Sequence, residues 1–364
     1  MNDKLDYILK KLVSFKTLSS DHVENRRALG WIQTQLKNLP LYSELIEIND
    51  TPSLVITTQK TKTPRLWLQG HLDIVPGSAE TLKLAIEDGK IIGRGTFDMK
   101  YAIASYIVLV QELSDKLPDY DFGVMITTDE EIGGQNGVRA LLEKGYTSKA
   151  AFLPDGGKDW QYVSASRGIW HLQATYRGES NHGSRPWLGK NAIVGLMRFT
   201  EELLALFPSE PCGVKDHFHN SITVGVMRGG EATNQIPDGA AAQYDIRYLI
   251  EDYEKLQVAV QKLQEKYPEV TLTTIAEGSG YRVDTKDSFF KMYDAVLKSH
   301  GVTPSFNITH GSSDARYFTQ HDIPTIVLRP AGGGHHSEYE WLDLAGFHLF
   351  HEVLKDFVDK AAKK

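Results

Sequence analysis

Leu66-Trp67-Leu68-Gln69-Gly70-His71-Leu72-Asp73 runs from an apolar stretch straight into an imidazole and a carboxylate. Its short apolar start predicts a buried strand over Arg65–Gln69. Alternate residues of an extended chain share a side. Asp73 can therefore accept the free N–H of His71, the outer partner that a metal-binding imidazole needs. Taken alone, the pair is better explained by a purely structural His–Asp hydrogen bond in a turn. The decision comes from the rest of the chain, where the same arrangement recurs.

Downstream, Phe122–Thr127 and Ala150–Leu153 also read as short apolar strands, and Ser53–Thr58 precedes them as another. Before and between them lie helical patterns: Leu5, Ile8, Leu9 and Leu12, then Arg26–Leu36, then the mostly apolar Met99–Leu113 and a helix over Val138–Lys144 ended by Gly145. Strands alternating with helices predict an α/β fold, a mostly parallel central sheet flanked by helices. From Gly168 the pattern changes to strand Ile169–Arg177, helix Asn191–Phe207, strands Ser221–Met227 and Ala240–Leu249, helix Tyr253–Tyr267 and strand Val270–Ile275. That β-α-β-β-α-β order is that of a ferredoxin-like α+β unit. Helix Ser288–His300, strands near Pro304–Ile308 and over Ile323–Leu328, and a C-terminal helix then resume the first pattern. The expected organisation is a catalytic domain in two parts, 1–167 and 284–364, with an inserted lid or dimerisation domain at 168–283.

The 364 residues suit two domains, and 41% hydrophobic content is enough for a substantial core. With a formal net charge of −7 and no Lys/Arg-rich run, nucleic acid is not an expected partner. No stretch approaches the roughly 18 continuous apolar residues of a membrane span. The one cysteine, Cys212, cannot form an internal disulfide and reads as inert. The N-terminus lacks the apolar stretch of a signal peptide, so a cytoplasmic location is expected.

Five polar sites stand out. His71 and Asp73 follow a strand. Asp98, in Gly93-Arg94-Gly95-Thr96-Phe97-Asp98-Met99-Lys100, enters a helix, where it could merely cap it. Glu130-Glu131 follow Phe122–Thr127, and adjacent carboxylates repel unless they are solvated or held by a cation. Asp155, in Leu153-Pro154-Asp155-Gly156-Gly157, could be an ordinary turn aspartate. His335 and His336 sit in Gly332-Gly333-Gly334-His335-His336-Ser337-Glu338-Tyr339-Glu340, an unlikely core setting for two histidines. Together they offer His, Asp, Glu, Asp and His. Nitrogen and oxygen donors without thiolate suit zinc, with cobalt or manganese as alternatives. Five ligands exceed what one catalytic zinc takes, and a shared carboxylate would divide them between two ions, roughly 3.5–4 Å apart in such enzymes.

In this order the residues resemble the dinuclear zinc metallopeptidase family of acetylornithine deacetylase, succinyl-diaminopimelate desuccinylase, aminoacylase and carnosinase-type dipeptidases. The resemblance rests on Gly70-His71-Leu72-Asp73, Asp98-Met99-Lys100, Glu130-Glu131 and His336-Ser337-x-x-Glu340, and extends over nearly the whole chain. It implies two divalent metals, with Asp98 bridging, His71 and Asp155 completing one site, and Glu131 and His336 the other. It makes Glu130 the general base toward a metal-bridged hydroxide, and Asp73 the group that orients His71. It likens His182, in Asn181-His182-Gly183, to a histidine that reaches a partner subunit's site and holds the oxyanion. Arg167, Asn234, Arg247, Gly311 and Ser312 match substrate-binding positions. Homodimerisation through the inserted domain is implied as well.

Two departures bear on substrate. Tyr101 stands where many members have glycine, and Asp155 where the desuccinylases and deacylases have glutamate. The expected reaction is hydrolysis of an amide in an N-acyl amino acid or short peptide, deacylase or desuccinylase ahead of dipeptidase or carboxypeptidase. A non-catalytic metal-binding scaffold is the alternative of another class, though a scaffold needs no general base. A serine hydrolase finds no Gly-x-Ser-x-Gly to support it.

Overall fold

A computed structural model describes residues 3–207, 218–311 and 313–364; Cys212 and Ser312 lie outside the described residues. The chain folds as two compact units, one of Met1–Ser164, Arg282–Asn307 and Ser313–Lys364, the other of Ala165–Tyr281 and Ile308–Ser312.

The first unit is built on a six-stranded sheet in the order Tyr42–Ile48, Thr51–Thr57, Phe122–Thr127, Leu66–His71, Ala150–Phe152, Thr325–Ile326. The last four run parallel, and the first two form an antiparallel hairpin at one edge. The three strands Thr51–Thr57, Leu66–His71 and Phe122–Thr127 are buried at every residue, as expected for a sheet covered on both faces. Trp67 and Gly123 are register partners. A Cβ on Gly123 would lie 2.1 Å from Trp67 Cζ3, so the indole occupies the space that any side chain there would need.

Helix Lys100–Leu113 is buried at every residue from Lys100 to Val110. Its Lys100 ammonium donates to the carbonyls of Leu12 and Phe15, at 3.1 and 2.8 Å, and burial pushes it down to about 7. The C-terminal helix Leu344–Ala362 brings Phe347 and Phe350 edge-on to Tyr101, and Phe350 also stacks on Phe152.

The second unit carries a four-stranded antiparallel sheet in the order Ser221–Gly229, Gly239–Tyr248, Gly168–Arg177, Val270–Gly278. Helices Ala192–Leu204 and Tyr253–Lys266 cover it through Leu196, Phe199, Leu203, Leu256, Val260 and Leu263. Read along the chain this is β-α-β-β-α-β, with the first strand central.

Some local expectations change. Tyr42–Ile48 is an edge strand that hydrophobicity does not reveal, because most of its residues are exposed. Asn49 and Asp50, both at positive φ, close its two-residue hairpin. The expected helix over Val138–Lys144 is α-helical only at Ala140–Glu143, after a wider turn at Gln135–Arg139. Of Ile323–Leu328, only Thr325–Ile326 pairs in the sheet. No helix among the described residues is long and apolar enough to cross a membrane.

Candidate metal centre

Three parallel strands of the first unit end where chemical groups gather. Leu66–His71 closes on His71. Phe122–Thr127 leads into Asp129, Glu130 and Glu131, the last two in a single 3-10 turn, Glu130–Ile132. Ala150–Phe152 is followed by Pro154 and Asp155. Carboxyl ends of parallel strands are where open sheets bind their ligands. Asp98 lies just before helix Lys100–Leu113 but does not cap it, since that helix has no side-chain cap. His336 sits between the short paired strands Gly332–Gly333 and Trp341–Asp343.

Asp98 is the hinge of the arrangement. Its Oδ1 lies 3.4 Å from His71 Nε2, and its Oδ2 3.3 Å from His336 Nε2. His336 Nε2 is also 3.0 Å from Glu131 Oε2. Donor atoms of His71, Asp98 and Asp155 all lie within 4.8 Å of one another, and so do those of Asp98, Glu131 and His336. The two trios share Asp98, one carboxylate oxygen facing each. His335 instead approaches the ring of Phe97, with centroids 6.3 Å apart.

The surrounding groups fix this geometry. His71 Nδ1 is 3.1 Å from the Asp73 carbonyl and 3.4 Å from its Oδ1, which turns Nε2 toward Asp98. The Asp73 carboxylate also accepts the backbone N–H groups of Glu130 and Glu131, at 3.3 and 3.1 Å, and the Ser19 hydroxyl at 2.7 Å. Glu340 accepts the backbone N–H groups of Phe97 and Asp98 and pairs with Arg94 at 2.9 Å. Tyr101 donates its hydroxyl to the Pro154 carbonyl at 2.7 Å, tying the buried helix to the Asp155 turn. The departure from glycine at 101 is thus a structural strut.

The charges are unbalanced. Burial, then repulsion from Asp98, pushes Asp155 up to about 7. Burial, reinforced by Asp155 and by Asp314 and Asp98, holds Glu130 well above the usual carboxylate range. Burial opposes ionisation of both Asp98 and His71. Their mutual contact, together with His336 on Asp98 and Asp73 on His71, still holds Asp98 well down and His71 well up. Asp98 Oδ1 and His71 Nε2 are buried without hydrogen-bond partners. Such orphaned groups are rare and costly, and divalent cations would satisfy them. Carboxylate oxygens and imidazole nitrogens without thiolate fit zinc, cobalt or manganese.

Three further buried charged residues stand near these groups, though sequence reading did not single them out. Arg329 lies 3.8 Å from Asp98 and 4.0 Å from Asp155; a lone arginine ending an apolar run was its only signal. Asp129 accepts the backbone N–H groups of Asn136 and Gly137. Asp314 is fully buried, with neither oxygen hydrogen-bonded. A Cβ on Gly134 would lie 2.0 Å from Asp314 Oδ1, and Gly134 has φ +62°, so only glycine fits that turn.

The remaining residues singled out from sequence belong to the second unit. His182 is exposed, with Nδ1 2.8 Å from the Ser184 hydroxyl. The Asn234 carbonyl accepts the Gly183 N–H, and Asn181–His182 pairs with Gln235–Ile236, so His182 and Asn234 are neighbours. Arg247 makes a two-pronged pair with Asp245, at 2.7 and 3.1 Å. Arg167 donates to the His219 carbonyl and the Ser221 hydroxyl. Gly311 is exposed.

A sequence model of peptidase family M20/M25/M40 matches residues 67–360. A succinyl-diaminopimelate desuccinylase of Rickettsia bellii is 21% identical over 375 residues, covering 96% of this chain and 95% of its own. One from Herminiimonas arsenicoxydans is 26% identical over 351 residues, covering 90% and 92%. Among solved structures, a tripeptidase from Staphylococcus aureus matches with a TM-score of 0.79 at 18% identity, over 98% of both chains. An M20 family metallo-carboxypeptidase from Sulfolobus solfataricus matches with a TM-score of 0.75 at 16% identity, over 98% of this chain and 99% of its own. At such identities the structural likeness concerns the fold.

Proposed function

The chain belongs to peptidase family M20/M25/M40, and from that premise we propose that it hydrolyses the amide bond of an N-acyl amino acid, with desuccinylase-like activity ahead of peptidase activity. The observation that carries the reading is Asp98, whose two oxygens face two separate trios of donors beside a carboxyl of raised pKa, Glu130. His71, Asp98 and Asp155 would hold one divalent cation, and Asp98, Glu131 and His336 the other, with zinc the preferred metal. Bound there, such ions supply Lewis acidity toward water and toward a carbonyl oxygen.

The protein's own groups do the rest. Before any cation binds, burial and neighbouring acids hold Glu130 above the usual carboxylate range, so its carboxyl can carry a proton. It takes the proton of the attacking water and gives it to the leaving amine. Asp73 keeps His71 in one tautomer and, through two backbone N–H groups, keeps Glu130 and Glu131 in register. His182 is assigned to the developing oxyanion, and Asn234, Gly311 and Ser312 to substrate, by resemblance. Of the two arginines, Arg167 is the better ligand for a substrate carboxylate, since Arg247 already spends its fork on Asp245. A cytoplasmic homodimer is the setting that the resemblance and the single cysteine support.

The desuccinylase reading is supported by relatives of that name aligned over 90% or more of the chain. Asp155 favours the peptidase alternative, because a shorter ligand stands where glutamate is expected. A panel of N-succinyl and N-acetyl amino acids, dipeptides and tripeptides, assayed with zinc, cobalt or manganese, separates the two. Glu130→Gln should keep its metals and lose about 10²–10⁴-fold in kcat. Near-normal turnover in that variant removes the assigned base. Failure of every substrate with both ions bound favours the scaffold reading.

A further inference from the structure

The two trios have the same composition: one histidine, one unshared carboxylate and one oxygen of Asp98. On ligand chemistry alone they would bind a divalent cation about equally. Their surroundings differ. Arg329 Nη1 lies 3.8 Å from Asp98 Oδ1, the oxygen that faces His71, and 4.0 Å from Asp155 Oδ1. On the other side Glu131 meets His336 and no lysine or arginine among the described residues.

Distances of 3.8 and 4.0 Å exceed hydrogen-bond reach, so the carboxylates are not what holds the guanidinium. It is anchored elsewhere. Its Nε donates to the Gly157 carbonyl at 2.8 Å, and its central carbon sits 3.9 Å from the centroid of the Phe97 ring. The side chain is only 8% exposed. A guanidinium stays charged at any working pH, and repulsion between cations is strong where water is excluded.

We infer that Arg329 is a built-in cation that makes the two metal sites unequal: the site on His71, Asp98 Oδ1 and Asp155 fills second, and more weakly, than the site on Asp98 Oδ2, Glu131 and His336. The inference rests on the two-cation reading above. A cation entering the first trio must share both of its carboxylates, Asp98 and Asp155, with a fixed positive charge, whereas one entering the second shares only Asp98 with it. The weaker site therefore depends on the free metal concentration, and the chain passes through a one-ion form before the two-ion form.

The test is titration of metal-stripped protein with Zn²⁺ and with Co²⁺ by calorimetry, with bound ions counted by atomic spectroscopy in metal-buffered dialysis. The wild type should show two steps separated on the order of a hundredfold in affinity. Asp155→Asn should remove the weaker step, and His336→Gln the tighter. Arg329→Gln should narrow the separation by about tenfold or more, while Arg329→Lys, which keeps the charge, should largely preserve it. Coincident wild-type steps, loss of the tighter step in Asp155→Asn, or an unchanged ratio in a folded Arg329→Gln would overturn the inference. Binding of fewer than two ions at saturating metal would overturn the two-cation reading itself, a different result from two equal sites. The Asp155 and His336 variants keep the question decidable if Arg329→Gln does not fold.

Discussion

Asp73 holds several of the proposed ligands in place without being one of them. It steers His71, holds the backbone of Glu130 and Glu131, and takes the Ser19 hydroxyl, all while fully buried. Asp73→Asn cannot accept at both oxygens, so metal affinity should fall about 10–100-fold, measurable by the same metal-buffered dialysis. Asp314 behaves differently. Burial first, then repulsion from Asp129, pushes its carboxyl up to about 8, from an ordinary 3.8. The folded chain therefore holds a proton there that the unfolded chain has lost. Native protein binds more protons across that window, so stability should fall as pH rises from about 4 to about 8. Asp314→Asn should flatten this slope. Urea midpoints at pH 5 and pH 8, on metal-stripped protein, check it; an equally steep slope in the variant would refute the assignment.

Among the elements, the three central strands do the positioning. They are buried on both faces, so their ends are rigid points from which His71 and the Glu130–Ile132 turn project. Gly123 is a point of close packing there, because its Cβ position is filled by Trp67. Gly123→Ala should destabilise the protein by about 1–3 kcal/mol through overpacking, seen as a lower denaturant midpoint. It should also reduce metal affinity, since His71 ends the strand that carries Trp67. An unchanged midpoint would mean that the indole can move aside. The link from Tyr101 on helix Lys100–Leu113 to the Pro154 carbonyl shows the same logic with a hydrogen bond in place of packing.

At the scale of the whole molecule, the proposed ligands all lie in one of the two units. Each unit has its own core. A ligand that binds only the native state stabilises it by mass action, by about 2.7 kcal/mol at a hundred times its dissociation constant. Removing metal should therefore lower the melting of the first unit and leave that of the second where it was. Differential scanning calorimetry with and without chelator tests this. A parallel shift of both would show that they unfold as one.

The α/β fold was legible in the sequence because buried parallel strands must be short, apolar and punctuated, and amphipathic helices must repeat at 3.6 residues. The proposed ligands were legible too: His71, Asp98, Glu131, Asp155 and His336 follow apolar strands or sit in glycine-rich loops, and only together do they make one donor set. The exposed edge strand Tyr42–Ile48 was not, since it buries too little to leave a pattern. Nor was Arg329, which comes near Asp98 and Asp155 only after distant segments of chain pack together. The same holds for which oxygen of Asp98 faces which histidine, and for Asp73 binding the turn of Glu130. Periodicity records whether a residue faces solvent or core. Distances between residues far apart in the chain are set by packing, and only the tertiary structure holds them.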